Sequence, residues 1–138
     1  MSHDRSMDME VGELMNKDAY SVGLDTSIAD AAQLIKRTGA NCLVVTENDK
    51  IEGIITDRDM ALGCLVDGHT SWKCSVYRHM TLQHLTTSPD VHFADASIMM
   101  IDRDLEHLPV VDDGELVGLL SSEELLGAVD RDMTLSLV

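Results

Sequence analysis

The segment Gly53–Asp59, with the sequence GIITDRD, has the residue types needed to hold a nucleotide where a strand passes into a helix. The Thr56 hydroxyl and the first helical N–H groups can donate to a phosphate, which the helix dipole also favours. Arg58 can add a charged fork, and the Asp59 carboxylate can accept from two ribose hydroxyls. Gly53 would let the backbone approach such a ligand closely. The spacing Thr56-x-x-Asp59 is also that of a capping box, which needs no ligand, and one residue can serve both purposes.

The elements that must position this segment occur twice, because the chain of 138 residues repeats itself at an offset of 65 residues. The tripeptide that starts at Ala29 recurs at Ala94, and Gly53 recurs as Gly118. Each copy has roughly 55 to 60 residues, which is marginal for an independent fold. We therefore expect the two copies to share a buried face.

Hydrophobic periodicity and turn residues predict the element order β-α-β-β-α in each copy. In the first copy Ser27 is expected to N-cap a helix that ends at Gly39. The remaining predicted elements are an extended segment Ala19–Val22, strands Leu43–Val45 and Ile51–Ile55, a helix Asp57–Val66, and in the second copy a helix Phe93–Asp104, strands Leu108–Val111 and Leu116–Leu120, and a helix from Ser122.

The repeat divides the chain into an N-terminal extension (1–10), repeat one (11–67), a linker (68–75), repeat two (76–129) and a C-terminal tail (130–138). Apolar and polar residues alternate over Met133–Leu137, which predicts an added edge strand in the tail.

The duplicated pattern with Gly53-Ile54-Ile55-Thr56-x-x-Asp59 resembles the CBS (cystathionine-β-synthase-type) domain, here as a tandem pair or Bateman module. The segment LPVVDDGELVG from Leu108 is equally typical of that family. The resemblance covers about residues 10–129. It implies an α+β fold with two β-α-β-β-α repeats in a pseudo-twofold pair, and a stand-alone regulatory protein rather than an enzyme.

The resemblance also implies that an adenosyl ligand, namely AMP, ADP or ATP, binds in the cleft between the repeats, with the main site at repeat one. There Thr56 would face the phosphate with Arg58 as its partner, Asp59 would bind the ribose, and Ile55 would line the adenine cleft. Further ligand contacts are implied for residues before and within the first strands, namely Asn41, Cys42 and Ser21.

The corresponding site in repeat two is expected to be weaker or empty. Ser121 keeps the hydroxyl, but Glu124 replaces the aspartate, and its extra methylene would move the carboxylate by ~1.5 Å into the ribose space. Glu123 replaces Arg58, so a cation is lost and an acid gained. His107 stands where relatives often place an arginine.

Charge narrows the ligand and partner classes. Ten Lys and Arg residues stand against 25 Asp and Glu, a formal net charge of −15, which argues against nucleic-acid binding and against anionic membrane surfaces. With so few cations, AMP or ADP is favoured over uncomplexed ATP, although Mg²⁺ could change that order. No cofactor is expected to be obligatory.

The histidines and cysteines do not have the spacing of a metal or nucleophile site. The six histidines are expected to lie on the surface or in polar loops, and the three cysteines, which lack a CxxC spacing, indicate a reducing cytoplasm rather than a disulfide scaffold. These residues are His3, His69, His79, His84, His92 and His107, with Cys42, Cys64 and Cys74.

The leading interpretation is an energy-sensing regulatory module that forms a homodimer through its helices and acts on a protein target that the sequence does not identify. Two alternatives stay open. The chain could be a ligand-free protein-interaction scaffold in which Thr56 and Asp59 only cap a helix, or a sensor of S-adenosylmethionine or a dinucleotide.

Overall fold

The computed structural model describes residues 8–68 and 70–127, which divide into two compact units. The central unit comprises Ala19–His84, and the flanking unit comprises the described residues before and after it. The predicted edge strand Met133–Leu137 lies outside the described residues. In chain order the elements are α1 (Val11–Leu14), β1 (Ser21–Gly23), α2 (Ile28–Thr38), β2 (Cys42–Glu47), β3 (Lys50–Thr56), α3 (Asp57–Asp67), a 3₁₀ turn (Val76–Arg78), β4 (Thr81–Leu82), α4 (Phe93–Asp102), β5 (His107–Asp112), β6 (Glu115–Ser121) and a final helix α5, described over residues 122–127.

The central unit is a four-stranded sheet in the order β1-β2-β3-β4, with β1 parallel to β2 and the other pairs antiparallel. The side chains of Leu43, Val45 and Ile55 pack on one face of this sheet against α2 and α3. This unit's buried core comprises Ile28, Ala31, Leu43, Val45, Ile55, Met60, Cys74 and Val76. None of the buried residues in this cluster is aromatic, in keeping with the aliphatic composition of the chain.

Local signals in the sequence set the helix and hairpin ends, as predicted. The Ser27 hydroxyl accepts a hydrogen bond from the Asp30 N–H at 3.0 Å, and Gly39 ends α2 in the left-handed region at φ 79°. Asn48 and Asp49 both have positive φ, as a two-residue turn between β2 and β3 requires. The helix predicted over Phe93–Asp104 ends two residues earlier, because Asp104 adopts φ 53° and cannot continue α4.

The flanking unit has a two-stranded sheet of β5 and β6 that packs with α1 and α4. Its core cluster contains Phe93, Leu108, Val110 and Leu120, which are at most 1% exposed. The short α1 joins this unit through hydrogen bonds such as Val11 N–H to the Val91 carbonyl at 2.8 Å.

The 65-residue repeat is visible in the strand pairing of the two units. In the central unit Ile54 pairs with Thr81, and in the flanking unit Leu119 pairs with Asn16. The opening segment of each sequence repeat therefore pairs with later strands of the other repeat. For this reason the boundaries of the two compact units differ from those of the two sequence repeats.

Candidate functional site

The candidate site lies where β3 passes into α3, and its first feature is a reciprocal capping box between Thr56 and Asp59. The Thr56 Oγ1 accepts from the Asp59 N–H at 3.0 Å, and Asp59 Oδ2 accepts from the Thr56 N–H at 3.0 Å. Both residues are half-buried. The box uses Thr56 only as an acceptor and Asp59 through one oxygen, which leaves the hydroxyl hydrogen of Thr56 and Oδ1 of Asp59 for another partner.

The first N–H groups of α3 are hydrogen-bonded within the protein, whereas the sequence predicts that they donate to a phosphate. Asp57 N–H donates to the Asn41 carbonyl at 3.1 Å, and Arg58 N–H donates to Asp57 Oδ1 at 2.8 Å. The Asp59 N–H donates within the capping box. An anion at this helix end would have to displace these acceptors, among them the Asp57 carboxylate, so only the exposed Arg58 side chain offers it a charged donor at this end of α3.

The start of β2 borders the same junction. Cys42 pairs directly with Thr56 in the sheet and is 5% exposed, and the exposed Asn41 precedes it. Ser21, also exposed, pairs with Val44 on the other side of β2. Because side chains alternate along a strand, the side chains of Ser21, Val44, Cys42 and Thr56 lie on one face of the sheet.

Ile55 lies on the opposite face of the sheet from Thr56, although the resemblance implies that it lines the adenine cleft. Its side chain belongs to the core of the central unit and has no exposed surface. The neighbouring Ile54 pairs with Val44, is 4% exposed, and shares the face of Cys42 and Thr56. Strand alternation counted from Thr56 predicts this difference between the two isoleucines from the sequence.

Gly53 permits a close approach, but the approaching group is protein rather than ligand. A Cβ at this position would lie 2.5 Å from the Thr81 carbonyl oxygen and 2.9 Å from Met80 Sδ. The strand β4 occupies the space next to Gly53, so this glycine serves sheet assembly.

The equivalent junction in repeat two is bonded differently. The Ser121 hydroxyl donates to both carboxylate oxygens of Glu124, at 3.1 Å each, and Ser121 N–H also donates to Oε1 at 2.8 Å. The longer glutamate thus reaches back to the hydroxyl, whereas the aspartate in repeat one reaches only the N–H. In repeat two the hydroxyl hydrogen of Ser121 is therefore held by the neighbouring carboxylate.

Repeat two also carries more negative charge at this junction than the sequence interpretation recognised. The carbonyl that accepts from the first helical N–H belongs to Glu106, the counterpart of Asn41, at 3.0 Å from the Ser122 nitrogen. Glu106 and Glu123 are exposed, and the half-buried His107 pairs with Ser121 at the start of β5. Applying the 65-residue offset to Asn41 would have revealed Glu106.

The described residues contain no group of three or more histidine, cysteine, aspartate or glutamate side chains arranged to hold a metal ion. Among the helices described, none has both the length and the apolar composition to cross a membrane.

The family model for the CBS domain matches residues 11–63 and 76–131, so the chain belongs to the CBS domain family and carries two copies. The CBS domain-containing protein YhcV of Bacillus subtilis is 29% identical over 83% of this chain and 81% of its own length. The CBS domain pair of protein MJ0100, solved in complex with 5′-methylthioadenosine and S-adenosyl-L-methionine, superposes with a TM-score of 0.72 at 26% identity, covering 88% of this chain and 96% of that one.

Other relatives are much longer than the matched region. The inosine-5′-monophosphate dehydrogenase of Nitrosopumilus maritimus is 31% identical, but this chain spans 24% of its length. For a relative from Schizosaccharomyces pombe the share falls to 16%. The similarity to such proteins is thus confined to their CBS regions, and one CBS domain pair among the similar structures, that of MJ0100, binds adenosyl compounds.

Proposed function

We propose that this chain is a regulatory module that binds the adenosine part of AMP, ADP or ATP at the β3–α3 junction of the central unit. The observation that carries the proposal is that, among the described residues, the Thr56 hydroxyl hydrogen and Asp59 Oδ1 have no hydrogen-bond partner, whereas the Ser121 hydroxyl donates to Glu124. Asp59 Oδ1 would accept from ribose hydroxyls, and the Thr56 hydroxyl would donate to the first phosphate.

The other residues of the proposed site surround this pair. Arg58 would contact the phosphate, and Asn41 and Cys42 would border the ligand at the start of β2. Ser21 and Ile54 share the sheet face of Thr56 and would contact the base. Ile55 supports the site from the core. In repeat two, Ser121, Glu124 and His107 form a weaker second site.

The charges near the helix start determine the expected order of ligand affinity. Asp57 and Asp59 outnumber Arg58 at the helix start, and the helix N–H groups are occupied, so each added phosphate meets more repulsion. We therefore place AMP ahead of ADP and uncomplexed ATP, with Mg²⁺ improving ATP by neutralising its phosphates. The same observation favours S-adenosylmethionine or 5′-methylthioadenosine as a second candidate, because neither carries a phosphate, and the CBS pair of MJ0100 binds both.

Ligand binding would regulate by favouring one of two arrangements of the protein. Three apolar side chains on helices, Leu65, Val66 and Ile101, are 66–80% exposed, which supports a homodimer formed through helices. The output would be contact with a cytoplasmic protein target rather than catalysis. A ligand-free scaffold is the competing account, in which the capping box has no other purpose.

The test is calorimetric titration of the full chain with AMP, ADP, ATP, S-adenosylmethionine and 5′-methylthioadenosine, each with and without Mg²⁺, and with GMP as the control for base selectivity. Binding of adenosyl compounds at one site per chain, without binding of GMP, is expected. No binding of any adenosyl compound at millimolar concentration would overturn the proposal and leave the scaffold.

A further inference from the structure

A thiol–imidazole–carboxylate cluster lies in the central unit, on the C-terminal half of α3 and on the segment Cys74–His79. Cys74 Sγ is 3.0 Å from His79 Nε2, and the same nitrogen is 3.7 Å from Asp67 Oδ2. Cys64 packs against the core cluster to which Cys74 belongs. The two cysteines and His79 thus lie in one cluster of side chains.

The cluster is held in place by burial and by a glycine. Cys74 is fully buried, and His79 lies in a loop, as expected, but with a side chain that is only 8% exposed. The His79 ring lies against Gly63 so closely that a Cβ on Gly63 would collide with ring atoms. Glycine is unfavourable in the interior of a helix. The close contact with the His79 ring explains why Gly63 is nevertheless found within α3.

The geometry does not suit a hydrolytic nucleophile. In a catalytic triad the carboxylate holds one ring nitrogen while the other serves the nucleophile. Here Cys74 and Asp67 both lie at Nε2 of His79. The arrangement instead lets His79 accept the Cys74 proton while the nearby Asp67 carboxylate stabilises the resulting imidazolium.

The two thiols differ in their access to solvent. Cys64 is partly exposed, whereas Cys74 is not. Burial, and then the neighbouring Cys74, raises the pKa of the Cys64 thiol, so its thiolate is scarce near neutral pH and its reaction with an oxidant is slow. The outer thiol is therefore Cys64, and the inner thiol with a base at hand is Cys74.

We propose that Cys64 and Cys74 are a reversible dithiol–disulfide pair that exchanges with a low-molecular-weight disulfide. The Cys64 thiolate attacks that disulfide and releases one small thiolate, which takes up a proton. Cys74 then transfers its proton to His79 and attacks Cys64 Sγ, and the second small thiol departs with that proton. Two electrons and two protons thus pass from the protein to the small disulfide.

The disulfide would join α3 to the segment that leads into the 3₁₀ turn. The Cys74 carbonyl also accepts from the Ile28 N–H at 2.8 Å, at the start of α2. Oxidation is therefore expected to tie together the start of α2 and the end of α3 and to raise the melting temperature. This inference does not rest on the proposed nucleotide function.

The test is equilibration of the folded full chain with glutathione disulfide and glutathione at varied ratios, followed by intact mass and non-reducing peptide mapping. We expect the loss of two hydrogen atoms per chain and a Cys64–Cys74 cross-link that excess glutathione reverses. Cys42→Ser is the matched control and should behave as the wild type. Cys64→Ser and Cys74→Ser should each abolish the cross-link, and either variant alone suffices if the other does not fold.

Two further variants test whether His79 acts as the base that accepts the Cys74 proton. His79→Asn and Gly63→Ala should slow closure of the disulfide, so that the glutathione adduct on Cys64 accumulates severalfold over the wild type. The proposal is overturned if the folded wild type forms no Cys64–Cys74 cross-link under conditions in which the urea-unfolded chain does. A cross-link that involves Cys42 instead, or an adduct level unchanged in both variants, would also overturn it.

Discussion

The hydroxyl of Ser121 donates to both carboxylate oxygens of Glu124, at 3.1 Å each. At the equivalent helix start, Thr56 Oγ1 accepts only from a main-chain N–H, and Asp59 uses one oxygen. One methylene accounts for the difference, because the longer side chain bends back to the hydroxyl. The two copies of this helix-start motif therefore differ in how the hydroxyl and the carboxylate are hydrogen-bonded.

Thr56→Val removes the hydroxyl that accepts from the Asp59 N–H. Loss of this cap should lower the free energy of unfolding by about 0.5–2 kcal/mol, measured by urea denaturation. Ligand affinity should fall as well, because the donor to the phosphate is gone. Thr56→Ser is the control that keeps both functions, and a Val variant as stable as the Ser variant would contradict the structure.

Gly53→Ala should destabilise the central unit. The added Cβ would meet the Thr81 carbonyl oxygen at 2.5 Å, and main-chain atoms of β4 cannot yield without loss of sheet pairing. We expect a cost of about 1–3 kcal/mol in unfolding free energy. Gly23→Ala is the matched control, since its nearest neighbour would be 3.9 Å away. Equal stability of the two variants would show that β4 does not occupy that space.

Ile54→Val and Ile55→Val remove the same methyl group from opposite faces of β3. Ile55→Val should reduce unfolding free energy by about 0.5–1.5 kcal/mol and leave ligand affinity unchanged. Ile54→Val should also reduce affinity about fourfold, the value of one buried methylene. If Ile55→Val alone weakened binding in titration calorimetry, the assignment of faces would be wrong.

A second site should be created by giving repeat two the residues of repeat one. The triple variant Glu106→Asn, Glu123→Arg and Glu124→Asp removes two carboxylates, adds one cation and shortens the side chain that holds the Ser121 hydroxyl. Titration should then find two ligands per chain instead of one. The reverse triple, Asn41→Glu, Arg58→Glu and Asp59→Glu, should abolish binding. An unchanged stoichiometry in the first triple would mean that other differences silence repeat two.

Much of the fold was predictable because its signals are local. Ser27 and Gly39 act within four residues, and each lies where the sequence placed it. The short β4 was not predicted, because its two residues, Thr81 and Leu82, are strand only through pairing with β3. The sequence also did not predict that the opening segment of each repeat pairs with strands of the other repeat. Tertiary pairing, rather than local preference, sets this arrangement.

The candidate site was predictable in part. The residue types of Thr56 and Asp59 predicted the capping box, and the structure contains it. The engagement of the Arg58 N–H by Asp57 depends on a side-chain rotamer that sequence does not specify. The sheet face of Ile55 could have been predicted, because strand alternation counted from Thr56 places Ile55 on the opposite side of β3.

The most direct test of the central claim is calorimetric titration of AMP into a matched pair of variants, Asp59→Asn and Glu124→Gln. Each exchanges one carboxylate for an amide of the same size, and Asn can still accept from the Thr56 N–H. We predict that Asp59→Asn weakens binding about 10- to 100-fold through loss of charged hydrogen bonds, whereas Glu124→Gln binds as the wild type does. Equal affinity of the wild type and both variants would contradict the account and reduce Thr56 and Asp59 to a helix cap.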